Sequence, residues 1–312
     1  MGKNAVLVLA FNRPERTAQL LEKIQQLYRP RTLYLAVDGP RAGHPTDAVK
    51  VGKVAALAES IPAEIRVHKL TREKNLGCRR AVSEAITWFF RQETAGIILE
   101  DDINPSRAFF DFCDEGLQRF ENDPAVFHIN GYLSTGSYHT RKDCLYRTTF
   151  PHVWGWATWR RAWNFYDDAC MEGSRSASEN AIAYATTDPD TRRFYDLAFE
   201  LTRQGKLDSW AFRWMLSSWR QAAVAIAPSE TTVTNVGIGP DSTHSRFADH
   251  LEAREQTPSA PPPNAPILDD HAFNEQFHRY FHQSTSRSRL LRMQASTFLP
   301  NRVHRFLRHF RG

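Results

Sequence analysis

Short apolar runs alternate with stretches of helical spacing through the first hundred residues. Residues 5–11 (AVLVLAF) form a continuous apolar run closed by Asn12-Arg13-Pro14 and predict a buried strand. Behind it Leu20, Leu21, Ile24 and Leu27 fall on one face of a helix. Leu33 to Val37 (LYLAV), ended by the turn signal Asp38-Gly39-Pro40, predicts a second strand. A helix over 49–60, a third strand over 64–70, a helix over 79–92 carrying Val82, Ile86 and Phe89/Phe90, and a fourth strand over 96–99 follow. This rhythm predicts an α/β fold, a mostly parallel, Rossmann-like sheet flanked by helices.

Ligands of such sheets gather at the carboxyl ends of the strands. The polar residues just past those ends are Asn12 and Arg13, then Asp38, then Glu100, Asp101 and Asp102. The second half has a different texture: seven of the eight tryptophans fall between Trp154 and Trp219, which suggests the acceptor side of a cleft. The proline-rich stretch Gln256 to Pro266 reads as a linker. The compact unit is therefore expected to span 1–250, in two halves meeting near residue 150. A linker with a short helical segment is expected over 251–285 and a basic amphipathic tail over 286–312.

Composition narrows the class. A chain of 312 residues with 41% hydrophobic and 24% charged residues can bury a core, which excludes collagen, coiled coil and wholesale disorder. No apolar run approaches the ~20 residues of a membrane span. The first residues read as neither a signal peptide nor a myristoylation site, so a cytoplasmic location is expected. Four cysteines about thirty residues apart form no zinc or redox pair and read as reduced thiols. The net charge of +5 belongs to the end of the chain, because residues 286–312 hold seven arginines and no Lys, Asp or Glu. The remainder carries −2, so nucleic-acid binding is not expected. Val303, Phe306, Leu307 and Phe310 share one helical face of this tail, which suits the surface of an anionic membrane, or else a helix docked on the protein's own body.

Several clusters carry candidate chemistry. Glu100-Asp101-Asp102 places three acids directly after a buried strand, where mutual repulsion favours a divalent cation such as Mg²⁺ or Mn²⁺. The alternative is a solvated turn in which Asp101 or Asp102 caps the next helix. Asp38 is either a turn residue or a carboxylate accepting from a nucleoside. Trp154 and Trp156 can stack sugar rings or pack, whereas Trp159 and Trp163, four apart, read as helix packing. Asp208 is a helix cap or a general base. His244, ending the loop from Gly237, is a candidate phosphate contact or metal ligand.

Together these stretches resemble the nucleotide-sugar-dependent glycosyltransferases of the GT-A fold, and within them bacterial enzymes similar to N-acetylglucosaminyltransferase I and to the family 2 sugar transferases. The likeness runs from about residue 4 to 250 and rests on LVLAFNR (7–13), LAVDG (35–39), Asn75-Leu76-Gly77, IILEDD (97–102) with Phe109-Phe110, and Leu145 to Thr148. Gly155 to Trp159, Asp208-Ser209-Trp210, and Asn235-Val236-Gly237 running on to His244 complete it. The resemblance implies an inverting sugar transfer from a nucleotide-sugar donor, a UDP-sugar, to a glycan or lipid-linked acceptor. It implies Asp102 on Mn²⁺ (or Mg²⁺), with Arg13, Asp38, Glu100, Asp101, Trp156 and His244 around the donor. Asp208 would be the base, with Glu230 as a distant reserve. Two rivals stand beside it: a non-catalytic carbohydrate-binding scaffold, and a Mg²⁺-dependent phosphotransferase. The second is weakened because the first strand ends in Phe11-Asn12-Arg13, with no acid.

Overall fold

A computed structural model describes residues 3–133, 141–237, 261–262 and 264–283, together with Leu291 and Ala295. The first half alternates as expected. It runs β1 (Ala5–Ala10), α1 (Pro14–Leu27), β2 (Thr32–Val37), α2 (Pro45–Ala56), β3 (Arg66–Thr71), α3 (Gly77–Gln92) and β4 (Ala95–Glu100). These strands lie parallel in the order β3-β2-β1-β4. Helix α2 starts earlier than periodicity suggests because Pro45 suits a first helical turn, and its expected last residues form a separate tight turn, Leu57–Ser60.

Successive residues of β1 face opposite layers, which explains its unbroken apolar run. Val6 and Val8 join Leu20, Leu21 and Ile24 of α1 on one side, while Leu7 and Leu9 meet Ile86 and Phe89 of α3 on the other. Each such side chain, fully buried, contributes about 1.5–3 kcal/mol, so the sheet is stabilised from both faces.

The chain continues through β5 (Ile103–Pro105), α4 (Arg107–Arg119), β6 (Val126–Asn130), β7 (Leu145–Thr148), β8 (Trp156–Trp159) and α5 (Arg160–Trp163). Then come α6 (Arg175–Ala185), α7 (Pro189–Arg203), α8 (Trp210–Arg220), β9 (Val224–Ala227), β10 (Val233–Asn235), β11 (Ile267–Leu268) and α9 (His271–Gln283). The nine-stranded sheet reads β11-β7-β9-β6-β8-β4-β1-β2-β3. Strand β8 enters antiparallel between β4 and β6, and β7 runs antiparallel to β9, so the parallel order gives way in this half. A separate two-stranded ribbon pairs β10 with β5.

Two expectations change here. The compact unit does not stop near residue 250: β11 adds an edge strand beside β7, and α9 buries Phe273 and Phe277 in the second-half core. Asn274, Glu275 and His278 bond Thr148, Thr149, Thr186, Thr187 and Tyr195, which docks α9 through a buried polar network. Trp159 and Trp163 do not share a helix face. Trp159 ends β8 and donates to the Leu117 carbonyl, whereas Trp163 ends α5 and donates to Thr87 on the opposite side of the sheet. Among the described residues no helix is long and apolar enough to cross a membrane.

Candidate functional site

The sheet changes direction at β1: the chain steps outward through β2 and β3, then returns to place β4 on β1's other flank. Ligand crevices form at such reversals. Register makes the strand ends level, since Ala10 pairs with Val37 and Leu9 with Glu100. The backbone N–H of Asp38 donates to Ala10 O, and that of Asp101 to Leu9 O. Arg13, Asp38 and the three acids therefore share one edge.

Arg13 reaches across the crevice from the start of α1. Its Nη1 lies 3.0 Å from Asp101 Oδ1 and 3.4 Å from Asp102 Oδ2. One guanidinium thus serves three acids. Burial, followed by Asp102 and Asp101, pushes Glu100 well above the usual carboxylate range, with Arg13 opposing. Burial raises Asp101 to about 6 against the pull of Arg13, and it raises Asp102 against Arg13 and Arg16. None of the acids caps the following helix: Ser106 does, its hydroxyl accepting from the Phe109 N–H at 3.2 Å. Asp101 and Asp102 do form the turn between β4 and β5, but without the capping role.

The ribbon completes the wall. The Val236 N–H donates to Asp102 O at 2.8 Å, and a Cβ at Gly237 would stand 2.3 Å from Asp102 Oδ2. Only glycine lets the chain pass this carboxylate. His244 lies outside the described residues, as do all of residues 238–260.

Asp38 is buried and fully engaged. Oδ1 accepts from the N–H groups of Gly39 (2.8 Å) and Leu76 (3.0 Å), and Oδ2 from Asn75 Nδ2 (2.8 Å) and the Gly77 N–H (3.3 Å). Burial raises its pKa and these donors hold it back. Four bonds fill the acceptor capacity of a carboxylate, so Asp38 here ties the end of β2 to the start of α3. Asn12 is likewise committed, donating to buried Asp47 at 2.9 Å, which Arg41 also holds at 2.7 Å. Beside Asp38 a small pocket of about 30 Å³ is lined by Ala10, Ala36, Arg72, Ala81 and Ala85. A broader cleft of about 660 Å³ opens between Arg41, His44, Lys74 and Asn75.

Asp208 approaches from the second half. It does not cap α8, because Ser209 does, accepting from the Phe212 N–H at 3.3 Å. Its side chain is 45% exposed and accepts from Arg79 Nε at 3.1 Å, while Oδ2 lies 3.3 Å from where a Cβ on Gly77 would stand. Gly77 has φ +80°, a backbone that glycine adopts without strain. The thiol of Cys78, at the start of α3, is pushed upward by burial and then by the charges of Glu100, Asp208, Asp102 and Asp38. Glu230 is elsewhere, paired with Lys142 at 2.7 Å.

Trp156 is not at the site. It is 1% exposed within β8, stacked on His128 with centroids 4.5 Å apart. No ring face is left for a sugar. Trp154 retains partial exposure, edge-on to Tyr132 and one residue before Gly155, whose surroundings include Val233, Ile103 and Leu99. Cys78 and Arg79 gave no signal of their own in sequence, whereas Gly77 and Gly237 were flagged only as parts of Asn75-Leu76-Gly77 and Asn235-Val236-Gly237.

Chemically, these three crowded carboxylates, with Arg13 and Arg16 as counter-charges, are the residues that could hold a cation. Among the described residues no group of three or more His, Cys, Asp or Glu side chains forms a metal centre. A divalent ion held here would take few protein ligands and fill its shell with water and ligand oxygens, as Mg²⁺ commonly does. No protein-family model matches the chain, and no curated protein matches it.

Proposed function

We propose that the chain is a metal-dependent, inverting glycosyltransferase of the GT-A type that moves a sugar from a nucleotide-sugar donor, a UDP-sugar, to a hydroxyl of a glycan or lipid-linked acceptor. The observation that carries this is that Arg13 pairs with Asp101 and Asp102 at the ends of β1 and β4, while Asp38 and Asp208 both lie against Gly77 at the start of α3. A phosphotransferase using an aspartyl nucleophile after β1 finds none there.

In this reading Asp102 faces a Mn²⁺ or Mg²⁺ ion, and Arg13 holds Asp101 and Asp102 in place for it. When bound, the ion offsets the charge on the departing diphosphate. Asp38 and Asn75 shape the nucleoside end of the cleft, with Asp38 acting through the loop it organises. Asp208 accepts the proton of the acceptor hydroxyl as that oxygen attacks the anomeric carbon from the face opposite the leaving group. Trp154 takes the stacking role expected of Trp156, and His244 remains a candidate for the diphosphate. The tail of 286–312, which apart from Leu291 and Ala295 lies outside the described residues, would hold the enzyme at the inner face of an anionic membrane.

The test is a screen of nucleotide sugars for thermal stabilisation with and without Mn²⁺, since a ligand at 100 times its Kd adds about 2.7 kcal/mol. A metal-dependent rise with one nucleotide class is expected, followed by a product whose anomeric configuration, read by NMR, is inverted. A retained configuration, or stabilisation indifferent to metal, overturns the reading.

A further inference from the structure

We infer that Arg79 is a positioning residue for the Asp208 base, held in turn by Asp168; the inference rests on the assignment of Asp208 proposed above. Asp208 is on the loop entering α8, where an exposed aspartate would sample several rotamers. Its Oδ1 is caught by Arg79 Nε at 3.1 Å, and the same guanidinium places Nη1 2.7 Å from Asp168 Oδ2. Asp168 is itself fixed. Its Oδ1 accepts from the Tyr166 hydroxyl at 3.2 Å, and its carbonyl accepts from Arg213 Nε at 2.9 Å. Arg213, buried in α8, also donates from Nη1 to the carbonyl of Ser209, the residue after Asp208, at 2.9 Å. Two arginines on two helices thus fix both the backbone and the side chain of the base.

The arrangement leaves a division of labour between the two carboxylate oxygens. Arg79 occupies Oδ1, and Oδ2 lies against Gly77 with no hydrogen-bond donor among the described residues. Oδ2 is the oxygen left to receive a proton. The planar fork of arginine engages two acids in fixed directions, which a lysine ammonium does not reproduce. Exposed pairs of this kind contribute little to stability, so its value here is geometric. Misplacement of a catalytic group by about 1 Å can cost on the order of 100-fold in rate.

The experiment uses the full chain and Mn²⁺-dependent hydrolysis of UDP-glucose, UDP-galactose and UDP-N-acetylglucosamine, read as released UDP, with water as the acceptor. Arg79→Ala is expected to lower kcat by about 10- to 100-fold while donor KM and the melting temperature stay near wild type. Arg79→Lys should recover only part of the loss. The double variant Arg79→Ala/Asp208→Asn should be no slower than Asp208→Asn alone, because the two act as one unit. If Asp208→Asn slows the reaction and Arg79→Ala does not, or the two losses multiply, or Arg79→Ala acts through donor KM, the positioning role is overturned and the base stands. If Asp208→Asn keeps wild-type kcat, or the wild-type protein hydrolyses none of the three donors, the base assignment falls and this inference with it. Should Arg79→Ala fail to fold, Asp168→Asn replaces it; a reduced kcat at unchanged KM is expected, and an unchanged kcat overturns the role.

Discussion

Three carboxylates crowd the end of β4, while three histidines, His128, His152 and His278, are buried in the other half of the molecule. The histidines are structure. Burial takes each down to about 3, for His152 with help from His128, so they are neutral. Their rings have partners to match: His128 Nδ1 accepts from Trp214 Nε1 at 3.2 Å, and its Nε2 lies 2.9 Å from His152 O. His278 is bracketed by Tyr195 and Thr149, each at 2.8 Å. The carboxylates are the opposite case, three like charges in one place, balanced by Arg13, more weakly by Arg16, and by a backbone bond from Phe11 to Asp101. Burial that ends in satisfied bonds makes a core, and burial that leaves charge uncompensated makes a place for a ligand.

The sharpest break of this comparison is Asp102→Ala. It is expected to abolish Mn²⁺-dependent donor binding, seen by calorimetry, while the melting temperature of the metal-free protein does not fall. Unchanged affinity with unchanged metal dependence would reduce the acidic triplet to a turn. In the other half the expectation reverses. Trp156→Ala should cost about 3–5 kcal/mol of stability, whereas Trp154→Ala, which empties a half-buried position, should cost clearly less and raise the KM for donor or acceptor. Equal melting temperatures for the two variants would dissolve the distinction between core and rim.

Acid separates the halves further. A histidine at about 3 in the fold and ~6.5 unfolded binds fewer protons when folded, so stability is lost as pH falls from 6.5 towards 3. Each contributes up to about 1.4 kcal/mol per pH unit. Asp101, raised to about 6, works the other way: the folded state binds more protons between its ordinary value and 6, and stability drops as pH rises through that window. Urea unfolding from pH 4 to 8 should show both arms, and Mn²⁺ should flatten only the carboxylate arm. A metal effect on the histidine arm would contradict the separation. The smallest effect is expected from Glu100→Gln, which should stabilise the metal-free protein by about 1 kcal/mol at pH 8 and negligibly at pH 5, because it removes a buried like charge. Destabilisation at pH 8 would show that Glu100 is already compensated.

Much of the first half was legible in the sequence. A parallel strand covered on both faces must be apolar throughout, so AVLVLAF, LYLAV and GIIL announced β1, β2 and β4. The abrupt polar residues after them marked Arg13, Asp38 and Glu100-Asp101-Asp102 as lying on one edge. Those signals are local, carried by a few adjacent residues. What only the tertiary structure decided depends on partners far along the chain. A tryptophan in the core and one at a rim look alike in sequence, and it is the insertion of β8 between β4 and β6 that buries Trp156 fully, while Trp154, just before the strand, stays half-buried. Asp208 read in sequence as the cap of α8, and in the fold Ser209 takes that place. The return of α9 after the proline-rich stretch needed a buried polar network to specify it. Arg79 meets Asp208 across 129 positions of chain. No spacing rule reaches that far, because the contact exists only once α3 and α8 have packed on the same face of the sheet.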